Sequence, residues 1–140
     1  MTDPSVFASG TTTGGVPWEA VEYMTRAGWI CIDFRYWQVP AERSDLAALG
    51  GCFIDGSPET GRVMGNIWPS RETALVGLLE GPSSGLGRGR GVTIEFGGGG
   101  KVTSQSTEGG AFVAVGRGMP VGLTYESSSG GVLFEPWKRP

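Results

Sequence analysis

The sequence contains no histidine, and this absence removes several kinds of chemistry. Histidine is the commonest general base in enzymes, and it completes the Ser-His and Cys-His nucleophilic arrangements. It is also a ligand in most zinc sites that are not made of cysteine alone, and a chain with two cysteines has too few for an all-cysteine site. We therefore expect a non-catalytic protein that carries no metal and no other cofactor.

Long apolar runs and an excess of basic charge are missing as well. No apolar run approaches the roughly 18 residues that a membrane-spanning helix needs, and residues 1–10 lack the basic start and the apolar centre of a signal peptide. The net charge of −3 predicts no broad attraction to nucleic acid or to an anionic membrane surface. These features favour an intracellular (cytoplasmic) or virion protein whose main partners are other proteins.

Cysteine is scarce, with Cys31 and Cys52 the two in the chain. Both lie in apolar surroundings, within the stretches GWICIDF and GGCFID. Free cysteine is among the most buried residue types, so we expect two buried free thiols, with a disulfide between them as the alternative.

Glycine, by contrast, is abundant, at 26 of 140 residues. It follows no Gly-X-Y period, so it indicates many turns or extended arms and not a collagen-like chain. Five tryptophans and six phenylalanines argue against a disordered chain. The length predicts a single domain with a hydrophobic core of its own.

Composition divides the chain into a central domain with a segment on either side. Residues 1–16 are small, polar and interrupted by glycine, which predicts an extended N-terminal arm. Residues 17–137 form the predicted domain, with a flexible Gly-rich connector at 81–91. Residues 138–140 form a C-terminal tail.

Two segments are predicted to be helical. Over residues 17–28, proline opens the segment, glutamates occupy the first turns and the apolar residues fall on one stripe. Over residues 70–81, Ser70 is a suitable N-cap and a Gly-Pro pair ends the segment, although a strand is the alternative. Residues 41–51 are compatible with one or two further helical turns.

The rest of the domain has the pattern of β-strands. Apolar and polar residues alternate over 29–37, and short segments of strand composition, separated by turns rich in glycine and serine, follow residue 91. The sequence therefore predicts an α+β fold. In this fold antiparallel β-structure predominates as a meander, small barrel or sandwich, and one or two short helices pack on the sheet.

The run EFGGGGKVT invites comparison with a phosphate-binding loop. In the GxxxxGK[ST] pattern, aligned on Gly100 and Lys101, Glu95 takes the place of the first glycine and Val102 takes the place of the hydroxyl residue. A helix should follow in such a loop, whereas VTSQST has strand character. We therefore expect a β-hairpin whose tip is the glycine run.

The segment GLGRGRG has closely spaced glycines, but it does not fit the dinucleotide-binding motif G-x-G-x-x-G. Depending on where the motif is started, Arg90 or Val92 falls at its last glycine position. Arg88 and Arg90 are instead expected to be solvated charges on a loop, where a partner can contact them.

Carboxylates are the remaining candidates for chemistry. Asp33 and Arg35 share one face of the predicted strand 29–37, where we expect a half-exposed ion pair, with a buried acid or anion pocket as the alternative. An enzyme that uses Asp33 or Glu95 is the least favoured class of function, because no catalytic motif accompanies either residue.

Extended ends and five tryptophans favour a protein that binds other proteins. The expected function is a structural or interaction subunit of a larger assembly, a virion-type component such as a capsid, head–tail or tail protein, which contacts itself or neighbouring subunits. The alternative is a small acidic binding module, such as an inhibitor or immunity protein or a small-ligand carrier. The candidate partner contacts are Val6, Phe7, Arg88, Arg90, Trp137, Lys138 and Arg139.

Overall fold

The computed structural model describes residues 2–36, 47–54, 62–67, 72–79, 86–127 and 130–136. In this part of the chain the regular structure consists of β-strands and contains no helix. The fold of the described residues is therefore all-β, which corrects the predicted α+β class. The strands are β1 (Ser5–Thr11), β2 (Pro17–Met24), β3 (Trp29–Tyr36), β4 (Ala47–Ile54), β5 (Arg62–Ile67), β6 (Glu72–Leu78), β7 (Gly91–Phe96), β8 (Lys101–Gln105), β9 (Ala111–Arg117), β10 (Pro120–Glu126) and β11 (Val132–Pro136).

The strands form three antiparallel sheets. The front sheet has the order β1-β2-β3-β4, the middle sheet β5-β6-β9 and the back sheet β11-β10-β7-β8. Successive side chains of β6 and β9 point alternately into two separate cores, one shared with the front sheet and the other with the back sheet. The middle sheet therefore lies between the other two and is covered on both faces.

Two hydrophobic cores fill the spaces between the layers. The front core, between the front and middle sheets, contains the buried residues Val16, Ala20, Ile30, Ile32, Phe34, Phe53, Ile67, Ala74, Val76, Leu78, Ala111 and Val113. The back core, between the middle and back sheets, contains the buried residues Leu75, Leu79, Val92, Ile94, Phe96, Phe112, Ala114, Leu123 and Tyr125. Strand β6 contributes to both cores, and every one of its residues is buried.

Strand β2 occupies the first segment that was predicted to be a helix, so that prediction is wrong. Ala20 lies in the front core opposite Phe34, while Val21 points to the other face opposite Asp33. The helical spacing of the apolar residues is overridden because β2 pairs with β1 on one side and with β3 on the other. This pairing satisfies the backbone hydrogen bonds of the segment within the sheet.

Strand β6 occupies the centre of the second predicted helix, so the strand alternative is the correct one. The run is apolar at consecutive positions because Leu75 faces the back core while Ala74 and Val76 face the front core. A strand that is buried on both faces loses the alternation of a half-buried strand, and periodicity then cannot separate it from a buried helix. Within the third predicted helical segment, residues 47–51 belong to β4, and the preceding ones lie outside the described residues.

Two strand predictions are confirmed. β3 follows the predicted alternating segment, and β7 and β8 form the predicted hairpin, with Glu95 opposite Lys101. Glycine is required at the tip of this hairpin because its backbone lies close to the backbone of the β9–β10 turn. Gly98 donates its N–H to the Arg117 carbonyl at 3.0 Å, and a Cβ at Gly98 would lie 2.7 Å from that oxygen. The tip therefore packs against the β9–β10 turn of its own chain.

The predicted N-terminal arm contributes an edge strand to the front sheet. Residues 5–11 form β1, which pairs antiparallel with β2. Phe7 and Ala8 of this strand pack against the front core. This extended segment therefore pairs and packs within its own domain. Residues 81–85 of the predicted connector and the tail 138–140 lie outside the described residues.

Cys31 and Cys52 form a disulfide between β3 and β4, with an S–S distance of 2.03 Å. The expectation of two free thiols is therefore wrong. The two residues lie directly opposite each other in the β3–β4 register, with 4.0 Å between their Cα atoms. That register results from the pairing of two strands, and the sequence around each cysteine does not reveal it.

Candidate functional site

The surface with the clearest potential for binding is strand β11, at one edge of the back sheet. Its residues Val132, Leu133 and Phe134 are 75%, 45% and 64% exposed. β11 pairs with β10 on one side, and none of the described strands pairs with its other side. Natural proteins usually protect such an edge with charge, proline or a covering segment, because an unpaired apolar strand binds other chains. β11 is therefore the candidate site of interaction.

β11 is held in place although it is exposed. Its pairing with β10 runs from Val132, opposite Glu126, to Pro136, opposite Gly122. The ring of Phe134 lies over Gly122, where an added Cβ would come within 2.9 Å of Phe134 Cε2. Exposed apolar side chains on a strand that is fixed in this way form a surface that is ready to bind without rearrangement.

An ion pair also ties β11 to the middle sheet. Glu135 of β11 contacts Arg62 of β5, with 3.1 Å between a carboxylate oxygen and a guanidinium nitrogen. The Arg62 side chain is only 10% exposed, whereas that of Glu135 is 39% exposed. The contact therefore anchors the end of β11 beside the middle sheet, on the face that also carries Leu133.

A second ion pair borders the exposed strand. The Arg88 guanidinium donates a hydrogen bond to the carboxylate of Glu126, the residue opposite Val132 on β10. This hydrogen bond lowers the pKa of the Glu126 carboxyl and raises the pKa of the Arg88 guanidinium. The charges of Arg88 and Glu126 compensate each other within the chain, and the positive charge of the buried Arg90 also acts on the Glu126 carboxyl.

The predicted partner contacts that the structure describes lie in different parts of the fold. Val6 is exposed on β1, at the edge of the front sheet, whereas Phe7 packs against the front core. Arg88 is exposed beside the back sheet, but Arg90 is fully buried, and its backbone N–H donates to the Ser106 hydroxyl at 2.8 Å. Arg90 is therefore not accessible to a partner. Three further predicted contacts lie outside the described residues: Trp137, Lys138 and Arg139.

The carboxylates considered for chemistry lie on sheet surfaces. Asp33 and Arg35 share one face of β3, with 3.5 Å between carboxylate and guanidinium, and their side chains are 32% and 34% exposed. Glu95 pairs with Lys101 across the β7–β8 hairpin at 3.3 Å. Half-exposed pairs of this kind contribute little to stability. In the described part of the chain, no cluster of three His, Cys, Asp or Glu residues is placed to hold a metal ion.

Sequence reasoning identified β11 as a strand but missed it as a site. The stretch GVLFEPW contains three consecutive apolar residues, and this run was a usable signal because a half-buried strand alternates. The position of β11 in the sheet was the missing information. Apolar residues on both faces are expected for a strand in the centre of a layered fold. At an exposed edge, the same residues indicate a candidate binding surface.

Comparison with known protein families, with curated proteins and with solved structures finds no match to this chain. None of the described residues belongs to a helix long and apolar enough to cross a membrane. A function for the chain is therefore inferred from its own surfaces.

Proposed function

We propose that the chain is a non-catalytic structural subunit of a larger protein assembly, in which β11 contacts a neighbouring copy. The observation that carries this proposal is the exposure of Val132, Leu133 and Phe134 on an unpaired edge strand. An edge of this kind recruits other strands, and an assembly gives it a defined partner.

The free energy available at β11 favours an assembly with repeated contacts. Burying a large apolar side chain contributes roughly 1.5–3 kcal/mol, so three of them contribute roughly 5–9 kcal/mol at most. Bringing two proteins together costs about 4–15 kcal/mol. Side-chain burial at β11 alone therefore gives a weak contact. We expect backbone hydrogen bonds, and contacts with more than one neighbour, to supply the remaining stabilisation.

We assign the assembly to a virion, as a capsid, head–tail or tail component. The Cys31–Cys52 disulfide supports this assignment, because disulfides persist in oxidising surroundings, which include virion surfaces, and are rare in the cytosol. The disulfide therefore favours the virion over the cytoplasmic alternative.

A small acidic binding module receives less support. An attraction for a basic partner needs carboxylates that are free to contribute to the surface potential. Several carboxylates are instead paired with cations of the same chain: Asp33 with Arg35, Glu95 with Lys101, Glu126 with Arg88 and Glu135 with Arg62.

Light scattering coupled to gel filtration tests the proposal. We expect the wild-type chain to form a species larger than a monomer that grows with protein concentration. Val132→Lys should shift the population toward the monomer, because a lysine charge is costly to bury at the contact. Gln105→Lys is the matched control, since it adds the same charge to an exposed position on β8, the opposite edge of the same sheet.

Two results would contradict the proposal. One is a wild-type chain that stays monomeric at high micromolar concentration. The other is a Val132→Lys variant that assembles as well as the wild type and the Gln105→Lys control, since β11 would then lie outside the contact.

A further inference from the structure

The middle sheet ends at β9, and among the described strands none pairs with the outer edge of β9. It contains three described strands, whereas the front and back sheets that cover it contain four each. At its β9 edge, a groove of about 390 Å³ lies between β1, the edge of the front sheet, and β8, the edge of the back sheet. Its lining is mixed: Ala8, Val102, Val113 and Val115 are apolar, whereas Thr13, Glu72, Thr103 and Ser104 are polar.

The backbone of β9 offers hydrogen bonds to this groove. The carbonyl of Ala111 accepts from Thr107 N–H at 2.8 Å, and the carbonyl of Arg117 accepts from Gly98 N–H at 3.0 Å. Both donors lie outside the middle sheet, so the odd-numbered residues of β9 direct their backbone groups away from β6. By the same alternation, the N–H and C=O groups of Val113 and Val115 point into the groove.

No described strand pairs with this edge of β9. Backbone N–H and C=O groups are obligatory hydrogen-bonding groups, and an extended segment laid along the groove would satisfy them in the manner of strand addition. The stretch of β9 between the two terminal contacts, residues 112–116, is the length of a short strand.

We infer that this groove receives β11 of a second copy of the chain as the fourth strand of the middle sheet. The inference rests on the proposed function, because it names the surface that β11 contacts in the assembly. Three properties of β11 match the groove: its length, the apolar character of both its faces, and the direction of its free backbone groups.

The first match is length. β11 spans the five residues Val132–Pro136, and residues 112–116 of β9 form the stretch whose outer edge has no described partner strand. Both strands therefore extend over about 17 Å at the usual rise of roughly 3.3 Å per residue.

The second match is the apolar character of both faces. A strand in the groove has the front sheet on one face and the back sheet on the other, and each wall offers apolar residues, such as Ala8 in front and Val102 behind. Val132 and Phe134 point to one face of β11 and Leu133 points to the other, and all three are exposed. The face of Leu133 also carries Glu135, which lies near the end of the strand and is already paired with Arg62 of its own chain.

The third match is the direction of the backbone groups. Ser127 N–H donates to the Gly131 carbonyl at 2.6 Å, so the alternation along the β10–β11 ladder turns Leu133 toward β10. Val132 and Phe134 then direct their backbone groups to the free edge. These two residues are two positions apart, as are Val113 and Val115 on β9, which allows a regular ladder between the strands.

β11 lies at the edge of the back sheet opposite β8, whereas the groove lies beside β8, so the two surfaces are on opposite sides of the chain and the contact is head-to-tail. Each copy offers β11 to one neighbour and the β9 groove to another. Contacts of this type close into rings or continue as filaments, and they do not stop at a dimer. The inferred site therefore accounts for repeated contacts with a single kind of interface.

Cross-linking of paired cysteine variants tests where β11 binds. Val115→Cys places a thiol on β9 beside the groove, and Phe134→Cys places one on β11. Cys31 and Cys52 are already joined to each other and leave no native free thiol. After the two variants are mixed under mild oxidation, we expect a covalent heterodimer in an amount several-fold above that from Gln105→Cys mixed with Phe134→Cys. Ser104→Cys, a conservative change on the back wall of the groove, replaces Val115→Cys if the latter does not fold.

The outcomes separate this inference from the proposed function. The expected heterodimer supports both. Homodimers of Phe134→Cys in its place would mean that two β11 strands pair with each other, which overturns the groove as the site and leaves self-association through β11 intact. An assembled wild-type chain with no groove cross-link also overturns the inference, because β11 then lies away from the groove in the assembly. A monomeric wild-type chain without cross-links overturns both.

Discussion

At the scale of single residues, Gly116 sets the distance between the middle and back sheets because it has no side chain. Gly116 on β9 lies under the ring of Phe96 on β7, and a Cβ at Gly116 would lie 2.4 Å from Phe96 Cδ2. Phe96 is buried in the back core, where close packing leaves its ring little room to move. The glycine therefore allows β9 and the back sheet to approach as closely as they do.

Gly116→Ala is expected to lower the free energy of unfolding by about 1–3 kcal/mol, the usual cost of overfilling a packed core. Gly91→Ala is the control, because a Cβ at Gly91 meets nothing within 4 Å. Urea denaturation followed by tryptophan fluorescence measures both variants. If Gly116→Ala is as stable as Gly91→Ala, the ring of Phe96 does not pack on Gly116 as described.

Single residues also show where local sequence stops being informative. Arg88 and Arg90 occur in the same glycine-rich run, and nothing in their neighbours distinguishes them. Arg88 is exposed beside Glu126, while Arg90 is buried, with its backbone held by Ser106. Ser106 is distant in sequence and belongs to the end of the adjacent hairpin. Tertiary contacts therefore determine that Arg88 is exposed and Arg90 is buried, and local composition does not predict this difference.

At the scale of elements, alternation in the sequence reveals the strands that have one buried face. β7 alternates between half-buried and buried residues along its length, and the alternation is visible in the sequence. β6 has no such alternation because cores lie on both of its faces. β11 has none either, for the opposite reason that its apolar residues are exposed. Hydrophobic periodicity reflects a difference in polarity between the two faces of a strand. In β6 and β11 the two faces have similar polarity, so the periodicity is weak.

The β3–β4 pair gives a prediction at this scale. The disulfide joins cysteines 21 positions apart, and closing a loop of that length in the unfolded chain is worth about 3 kcal/mol. The double variant Cys31→Ala/Cys52→Ala should therefore unfold at a lower urea concentration than the wild type, by an amount equivalent to about 3 kcal/mol.

Reduction provides the control for that comparison. A thiol reductant should destabilise the wild type to about the level of the double variant and leave the double variant unchanged. If free-thiol titration shows that both cysteines are reduced and the wild-type midpoint is still unchanged, the disulfide does not provide the expected stabilisation.

At the scale of the whole molecule, the layers depend on pairings between strands that are distant in sequence. β6 pairs with β9 and β7 pairs with β10, so two sheets are assembled from strands that do not follow each other. Local patterns predict a strand but not its neighbour, and the neighbour decides which strands become edges. The candidate site at β11 and the groove at β9 are both edge properties, which is why neither could be located from the sequence.

The shared middle sheet predicts that the molecule unfolds as one unit. Leu75 and Leu78 are both fully buried on β6, but Leu75 faces the back core and Leu78 faces the front core. Leu75→Ala and Leu78→Ala should each lower the free energy of unfolding by about 2–5 kcal/mol, because each leaves a cavity in a packed core. Since β6 belongs to both cores, neither core can unfold while the other keeps its structure.

Urea unfolding of the two variants should therefore show a single transition, with the same midpoint by far-ultraviolet circular dichroism and by tryptophan fluorescence. Val121→Ala is the control, because Val121 is 50% exposed and its truncation should change stability by no more than about 0.5 kcal/mol. Two separate transitions, with Leu75→Ala displacing one and Leu78→Ala the other, would mean that the cores are independent. The middle sheet would then not couple the front and back layers.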